Sequence, residues 1–277
     1  MKKKLSKIFI AIIMMVFIAG CSSTSSKKSS SVGGFGGIFT SSKPQKAQHT
    51  DADYELDYSF FKQKGLPIPD NFKGKSVEYL VPGNDVLKEH GYSFFKKYDE
   101  KEILKFFKDT SITGYGSNSN YWRWKITFTE KELMNSVARN LPMVYRVRPR
   151  DVMTLSKGEW KSLPITAAAV GEVKDIEVAA RGRSGVITYL LVTTNKNKFL
   201  VSKELNVRKL LTADKNSTKT NRTIPLYGAK GGSEGYNLKA LRNNITLLPS
   251  AYFAIEKKSG NITLYGGGNG HGVGMPQ

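Results

Sequence analysis

The sequence predicts an α+β fold, a mainly antiparallel sheet with short helices, preceded by a disordered tether. Apolar residues alternate with polar ones in several runs bounded by glycine, asparagine and serine, which is strand and hairpin patterning. Short segments of helical period, opened by capping residues, separate those runs. Of the 277 residues, 22–52 are too rich in Ser, Gly and Lys to build a core. Strands interleaved with short helices and local hairpins give the fold class.

Residues 1–20 read as a secretory signal. Lys2, Lys3, Lys4 and Lys7 precede an unbroken apolar stretch at 8–18, too short for a membrane span of about 20 residues. The stretch ends in Ile18-Ala19-Gly20-Cys21, which resembles the lipobox of bacterial lipoproteins. That resemblance implies lipidation of Cys21, a mature chain that begins there, and an exported protein anchored in the membrane at the cell envelope. Cys21 is the one cysteine of the chain, which excludes an internal disulfide and leaves no thiolate for a metal or a nucleophile. Residues 21–52 read as a flexible tether.

The chain from 53 to 120 is aromatic-rich, with Tyr54, Tyr58, Phe60, Phe61, Phe94, Phe95, Phe106 and Phe107. A helix is predicted over 99–108, capped by Asp99 with Glu102 at the third position and carrying Ile103, Leu104, Phe106 and Phe107. The stretch 114–120 breaks the chain and suggests a boundary, so 121–277 is taken as the second region. Residues 121–128 alternate as a strand. Thr129 and Glu132 form a capping box that opens a helix with Leu133, Val137 and Leu141. The runs 173–180 and 186–194 flank Arg181-Gly-Arg-Ser-Gly185 as a hairpin, and 199–202 leads into a helix with Leu205, Val207, Leu210 and Leu211. A second hairpin, 253–256 and 262–265 about a Ser259-Gly260 turn, delivers a glycine run. Six of the nine residues from 266 to 274 are glycine, which allows positive φ and lets another chain or a ligand approach bare backbone.

The order Leu248-Pro-Ser250, Tyr252-Phe253-Ala-Ile255-Glu256, turn, strand, then Gly270-His-Gly-Val-Gly-Met275 and Gln277 resembles the end of the stage II sporulation protein D and amidase-enhancer family. The likeness extends back to 121, because that family also pairs a tryptophan-bearing strand with a capped helix. It implies peptidoglycan as partner, a part in wall remodelling, and Gly270, His271, Gly272, Val273, Gly274, Met275 and Gln277 as glycan-contacting residues. The best understood members are lytic transglycosylases that cut glycan strands stripped of peptides. A noncatalytic scaffold or enhancer of a separate cell-wall hydrolase is the alternative. Relative to the family the domain is short at its C-terminal end, since the motif there continues into a Tyr-Gly-Ala-like segment and a further helix.

Catalytic members also carry a glutamate followed by Met-Pro and an alanine-rich helix, and nothing in 51–120 reads that way. Members that bind zinc use a cysteine and a histidine in the same earlier half, which the lone Cys21 cannot supply. No catalytic residue, metal site or cofactor is therefore assigned, and the mature chain is expected to lack independent glycan cleavage. Of the upstream acids Asp85, Glu89, Asp99, Glu100 and Glu102, the last two sit in a helix's first turn, where the dipole keeps carboxylates ionised, and read as capping residues. Glu234, in Gly231-Gly-Ser-Glu234-Gly, is the freest alternative acid for an active enzyme. His49 falls in the tether and His90 on the surface, and no histidine pair has metal-ligand spacing. For His271, a hydrogen-bonding structural role and a substrate contact both stay open.

The chain holds 43 Lys and Arg against 23 Asp and Glu, a formal charge of +20, and four of those lysines precede residue 21, which leaves +16 on the mature chain. For an exported protein the partners of such charge are anionic lipid, teichoic-type polymers and peptidoglycan carboxylates, with no nucleic acid. Charge spread simply for solubility is the plainer reading. Arg139, Arg146, Arg148 and Arg150, around Tyr145, form the densest arginine cluster and suit bidentate contact with carboxylate or phosphate.

Overall fold

The computed structural model describes residues 58–69, 99–114, 116–182 and 185–270. The stretches expected to be a signal (1–20) and a tether (21–52), with Cys21 and His49, lie outside the described residues, as do Asp85, Glu89, His90 and the run from His271 to Gln277. The described chain is α+β, with two antiparallel five-stranded sheets and a few short helices. In chain order the elements are α1 (Ser59–Gln63), α2 (Glu100–Lys108), β1 (Arg123–Thr129), α3 (Glu130–Val147), β2 (Val152–Ser156), β3 (Glu159–Lys161), α4 (Ala167–Val170), β4 (Val173–Arg181), β5 (Ile187–Thr194), β6 (Lys198–Ser202), α5 (Glu204–Leu210), α6 (Lys215–Thr218), β7 (Pro225–Ala229), β8 (Arg242–Asn243), β9 (Phe253–Lys258) and β10 (Asn261–Gly266).

The first sheet runs β8-β7-β1-β10-β9 and the second β3-β2-β6-β5-β4. Alternation along β1 sends Trp124, Ile126 and Phe128, all fully buried, to one face and Lys125 and Thr127 to the other. Trp124 stands opposite Gly266, Ile126 opposite Leu264 and Phe128 opposite Ile262. The inner row packs with Leu133, Val137, Leu141 and Val144 of α3 and with Ile187, Leu190, Val192, Phe199 and Val201 of the second sheet in one core. The far face of the second sheet offers Met153, Tyr189, Leu191 and Leu200, which Phe61 and its neighbours in 58–69 cover. The far face of the first sheet is partly covered by Ile103, Phe106 and Phe107 of α2.

Each local start signal has a visible cause. Asp99 caps α2 by accepting from the Lys101 N–H at 2.8 Å, so it is the second helical residue, and not Glu102, that completes this cap. Thr129 and Glu132 make the reciprocal capping box, with the Glu132 N–H donating to Thr129 Oγ1 at 3.2 Å and the Thr129 N–H donating to Glu132 Oε2 at 2.8 Å. The helix then runs through Pro142 to Val147. A buried polar row on α3 holds the chain after α5. The Ser136 hydroxyl donates to Thr212 O at 2.8 Å, and the Asn140 amide donates to Thr212 Oγ1 at 3.0 Å and Leu210 O at 3.2 Å.

Glu132 also accepts from the Arg222 guanidinium at its Oε1, at 2.9 Å, and at its Oε2. Burial alone would raise its pKa, but the Arg222 hydrogen bonds, the Thr129 N–H, the Arg222 charge and the Thr220 hydroxyl outweigh it and hold the carboxyl at about 2. A carboxyl with a lowered folded-state pKa stabilises fully above its unfolded value of about 4.3 and loses that contribution as pH falls through about 2. Glu132→Gln keeps a capping acceptor but not the charge. It should cost on the order of 2–3 kcal/mol near pH 7, and the gap from wild type should close between about pH 4.5 and pH 2. Urea unfolding of both proteins across that range checks this, and a gap that stays constant down to pH 2 would contradict it.

Candidate functional site

The glycine run begins inside the fold. A Cβ on Gly266 would stand 2.3–2.8 Å from three carbons of the Trp124 ring, and one on Gly267 would stand 2.9 Å from Trp122 O. Bare backbone is what lets the chain leave β10 over these two tryptophans. The Gly267 N–H donates to Tyr252 O at 3.0 Å, the Gly268 N–H to Tyr121 O at 2.8 Å and the Gly270 N–H to Pro249 O at 2.8 Å. The Ser250 hydroxyl donates to Gly267 O at 2.7 Å, and the Trp124 indole N–H donates to Gly268 O at 3.1 Å. Gly268 has φ 74° and Gly270 φ 142°. The first part of the run is thus packed on the chain's own strands. Of the predicted contact residues Gly270 is the one described, and His271, Gly272, Val273, Gly274, Met275 and Gln277 lie outside the described residues.

Segment 248–250, which takes the Gly270 amide, is itself anchored. The Arg208 side chain is buried and donates through Nε to Leu248 O at 2.8 Å, while its Nη1 reaches Glu204 at 3.2 Å. Two further buried arginines frame the same end of the molecule. Arg181 donates from Nε and Nη2 to the two oxygens of Glu100, both at 2.7 Å, and from Nη1 and Nη2 to Gly185 O and Phe253 O at 2.7 and 2.8 Å. The Arg123 guanidinium carbon lies 4.3 Å from the Phe106 ring centre and 4.9 Å from that of Trp122.

Beside this packed corner lies a half-open sheet face that pattern reading did not single out. Opposite the buried Trp124 row, register aligns Tyr227 of β7, Lys125 of β1 and Tyr265 of β10 across three strands. Thr127 and Thr263 form the next row, their hydroxyls 2.9 Å apart. Tyr236 comes down from the loop after β7, with its ring centre 6.1 Å from that of Tyr265. The Lys125 ammonium stands 4.7 Å from the Tyr236 ring centre and 6.0 Å from that of Tyr227. Lys108 stands 5.1 Å from the Tyr265 ring centre and pairs with Glu256 at 2.8 Å. The Glu256 hydrogen bond raises the Lys108 pKa against partial burial, so this ammonium stays charged. Burial likewise raises the Tyr236 pKa, so its hydroxyl stays protonated and donates a hydrogen bond to Phe107 O at 2.9 Å. The face thus offers three half-buried aromatic rings, two cations and a pair of hydroxyls on a rigid strand platform. Period-2 alternation in 121–128 was the signal that could have pointed to Lys125 and Thr127. Their tyrosine neighbours depend on strand order.

The acids lie elsewhere or are engaged. Glu100 is held in the Arg181 clamp and makes no cap, so its predicted role is corrected, because the guanidinium in reach outweighs the local helix end. Glu102 is exposed on α2. Glu234 is exposed in the loop that carries Tyr236, where the Thr110 hydroxyl donates to the neighbouring Ser233 O at 2.7 Å. At the other end of the β9–β10 hairpin a depression of about 220 Å³ is lined by Glu130, Asp175, Lys257 and Asn261, with Lys257 paired to Asp175. Among the described residues no group of three or more His, Cys, Asp or Glu could hold a metal ion, and no helix is long and apolar enough to cross a membrane.

The model of a family described as "Domain of unknown function (DUF8618)" matches residues 67–221, more than half of the chain. No curated protein and no solved structure matches the sequence.

Proposed function

The chain belongs to the DUF8618 family, and because that description assigns no activity, we propose from the chain's own residues that it is an exported envelope lipoprotein, tethered through Cys21, that binds peptidoglycan glycan strands without cleaving them. One observation carries the binding reading, the row of Tyr227, Lys125 and Tyr265 with Tyr236 above it. Sugar rings stack on exposed aromatic faces through their C–H groups, threonine hydroxyls serve sugar oxygens, and ammonium groups pair with muramyl-type carboxylates. The motif resemblance of 248–277 to the stage II sporulation protein D family supports the same partner. Binding is favoured over cleavage because a general acid needs a raised pKa, whereas Glu132 is held at about 2 and Glu100 and Glu256 are tied in ion pairs.

The test is retention of the full-length, detergent-extracted protein on purified cell walls. Tyr227→Ser should weaken retention about two- to twelvefold, the effect of one stacked ring worth about 0.5–1.5 kcal/mol. Wild-type retention should fall as salt shortens the Debye length from about 10 Å to about 3 Å. Retention indifferent to Tyr227 and to a second change, Lys125→Gln, would remove this face as the glycan contact. Release of anhydro-sugar ends by the pure protein, abolished by Glu234→Gln, would replace the binding reading with a relocated catalytic acid beside Tyr236.

A further inference from the structure

We propose that the C-terminal half of α3 and the turn after it form a docking surface for the anionic headgroups of a lipid bilayer, with Arg139, Arg146, Arg148 and Arg150 set around exposed Met143 and Val147. Spacings of four, three and four residues put Arg139, Met143, Arg146 and the start of the following turn on one side of the helix. All four arginines are exposed. Arg181, Arg208 and Arg222 each hold a glutamate, whereas these four make no ion pair among the described residues. The nearest acid along the chain, Asp151, accepts from the Asn206 amide at 3.1 Å. Met143 is 40 % and Val147 66 % exposed, so the cations flank apolar side chains that the other described residues leave partly open. Leu163, 37 % exposed, joins them because the neighbouring Ser162 hydroxyl donates to Pro149 O at 2.5 Å.

Guanidinium groups bind phosphate diesters bidentately, and the apolar centre selects among phosphate sources. A soluble phosphodiester polymer supplies charge alone, while a bilayer also offers an apolar boundary region a few ångströms below its phosphates. A lipid on Cys21 would hold the domain at high effective concentration over that surface, so a weak patch suffices to orient it. The sheet face carrying Tyr227, Lys125 and Tyr265 belongs to other elements, which leaves it available while α3 faces lipid.

Methionine oxidation reads this surface directly. The full-length protein is reconstituted into vesicles of phosphatidylcholine alone or with added phosphatidylglycerol, and exposed to a mild oxidant. Met143 should oxidise at least about fivefold more slowly on the anionic vesicles, the effect of even one arginine contact, while half-buried Met134 on the same helix keeps one rate on both. Changing all four arginines to glutamine, each at an exposed position, should abolish that protection. Equal Met143 rates on the two vesicles would overturn the proposal, as would protection that survives the arginine changes. Protection on neutral vesicles by a soluble phosphodiester polymer would assign the patch to a wall polyanion and overturn it too. No glycan is present in any arm, so the outcome is independent of the glycan reading.

Discussion

Replacing Glu100 with alanine should destabilise the fold by about 2–4 kcal/mol, although its side chain is 45 % exposed. Its partner explains the asymmetry. Arg181 is 1 % exposed and its charge is balanced by the two Glu100 oxygens, with Gly185 O and Phe253 O completing the shell. Removing the glutamate leaves a cation in the interior with carbonyls alone, which is the costly way to break such a pair. Arg181→Met should cost less, about 1–3 kcal/mol, because the stranded carboxylate can hydrate and only two carbonyls lose donors. The double variant should be no less stable than Arg181→Met alone, since the glutamate then has nothing to balance. Chemical denaturation of the four proteins completes the cycle. A Glu100→Ala cost below 1 kcal/mol, the level of an ordinary surface pair, would refute this account.

Gly266→Ala should cost about 2–3 kcal/mol, more than an extra methyl usually does at a strand end. The new carbon would stand 2.3–2.8 Å from the Trp124 ring. That ring is fully buried, bonded to Gly268 O and packed on Phe253 with centres 6.0 Å apart, so it cannot withdraw. Gly260→Ala is the control. It has φ 74° and open space around it, so its cost is the left-handed backbone alone, about 1 kcal/mol. In a Trp124→Leu background the Gly266→Ala penalty should shrink to a few tenths, because the opposing volume is gone. An undiminished penalty there would locate the strain in the backbone and not in the indole contact. Denaturant midpoints of the single and double variants decide it.

What could be read from sequence follows the range of the forces involved. The Thr129–Glu132 box, the strand at 121–128, the hairpin about Ser259-Gly260 and the strand pair around Arg181-Gly-Arg-Ser-Gly185 are written in neighbouring residues, and the structure has all four. The short β2–β3 hairpin carried too few alternations to stand out. Arg123, Arg181 and Arg208 could not be recognised as interior residues, because burial of a guanidinium depends on carbonyls that arrive from distant segments. The Tyr227–Lys125–Tyr265 row was hidden for the same reason, since it exists only once three strands far apart in sequence lie side by side. The glycine run was legible as a place of close approach, and what approaches its first residues is the chain's own tryptophans.

The central place of β1 has a consequence for the order of events during synthesis. Ile126 lies opposite Leu226 on one side and Leu264 on the other, partners 100 and 138 positions further along the chain. Until both have emerged, β1 exposes two unpaired edges and a tryptophan, an isoleucine and a phenylalanine with no sheet to complete their cover. Local elements such as α3 can form early, but this sheet closes only when its latest-made strands arrive, so folding should be slow to commit and cooperative once it does. A growing chain therefore spends most of its synthesis as a client for whatever shields sticky strand edges, and becomes self-sufficient only near residue 266.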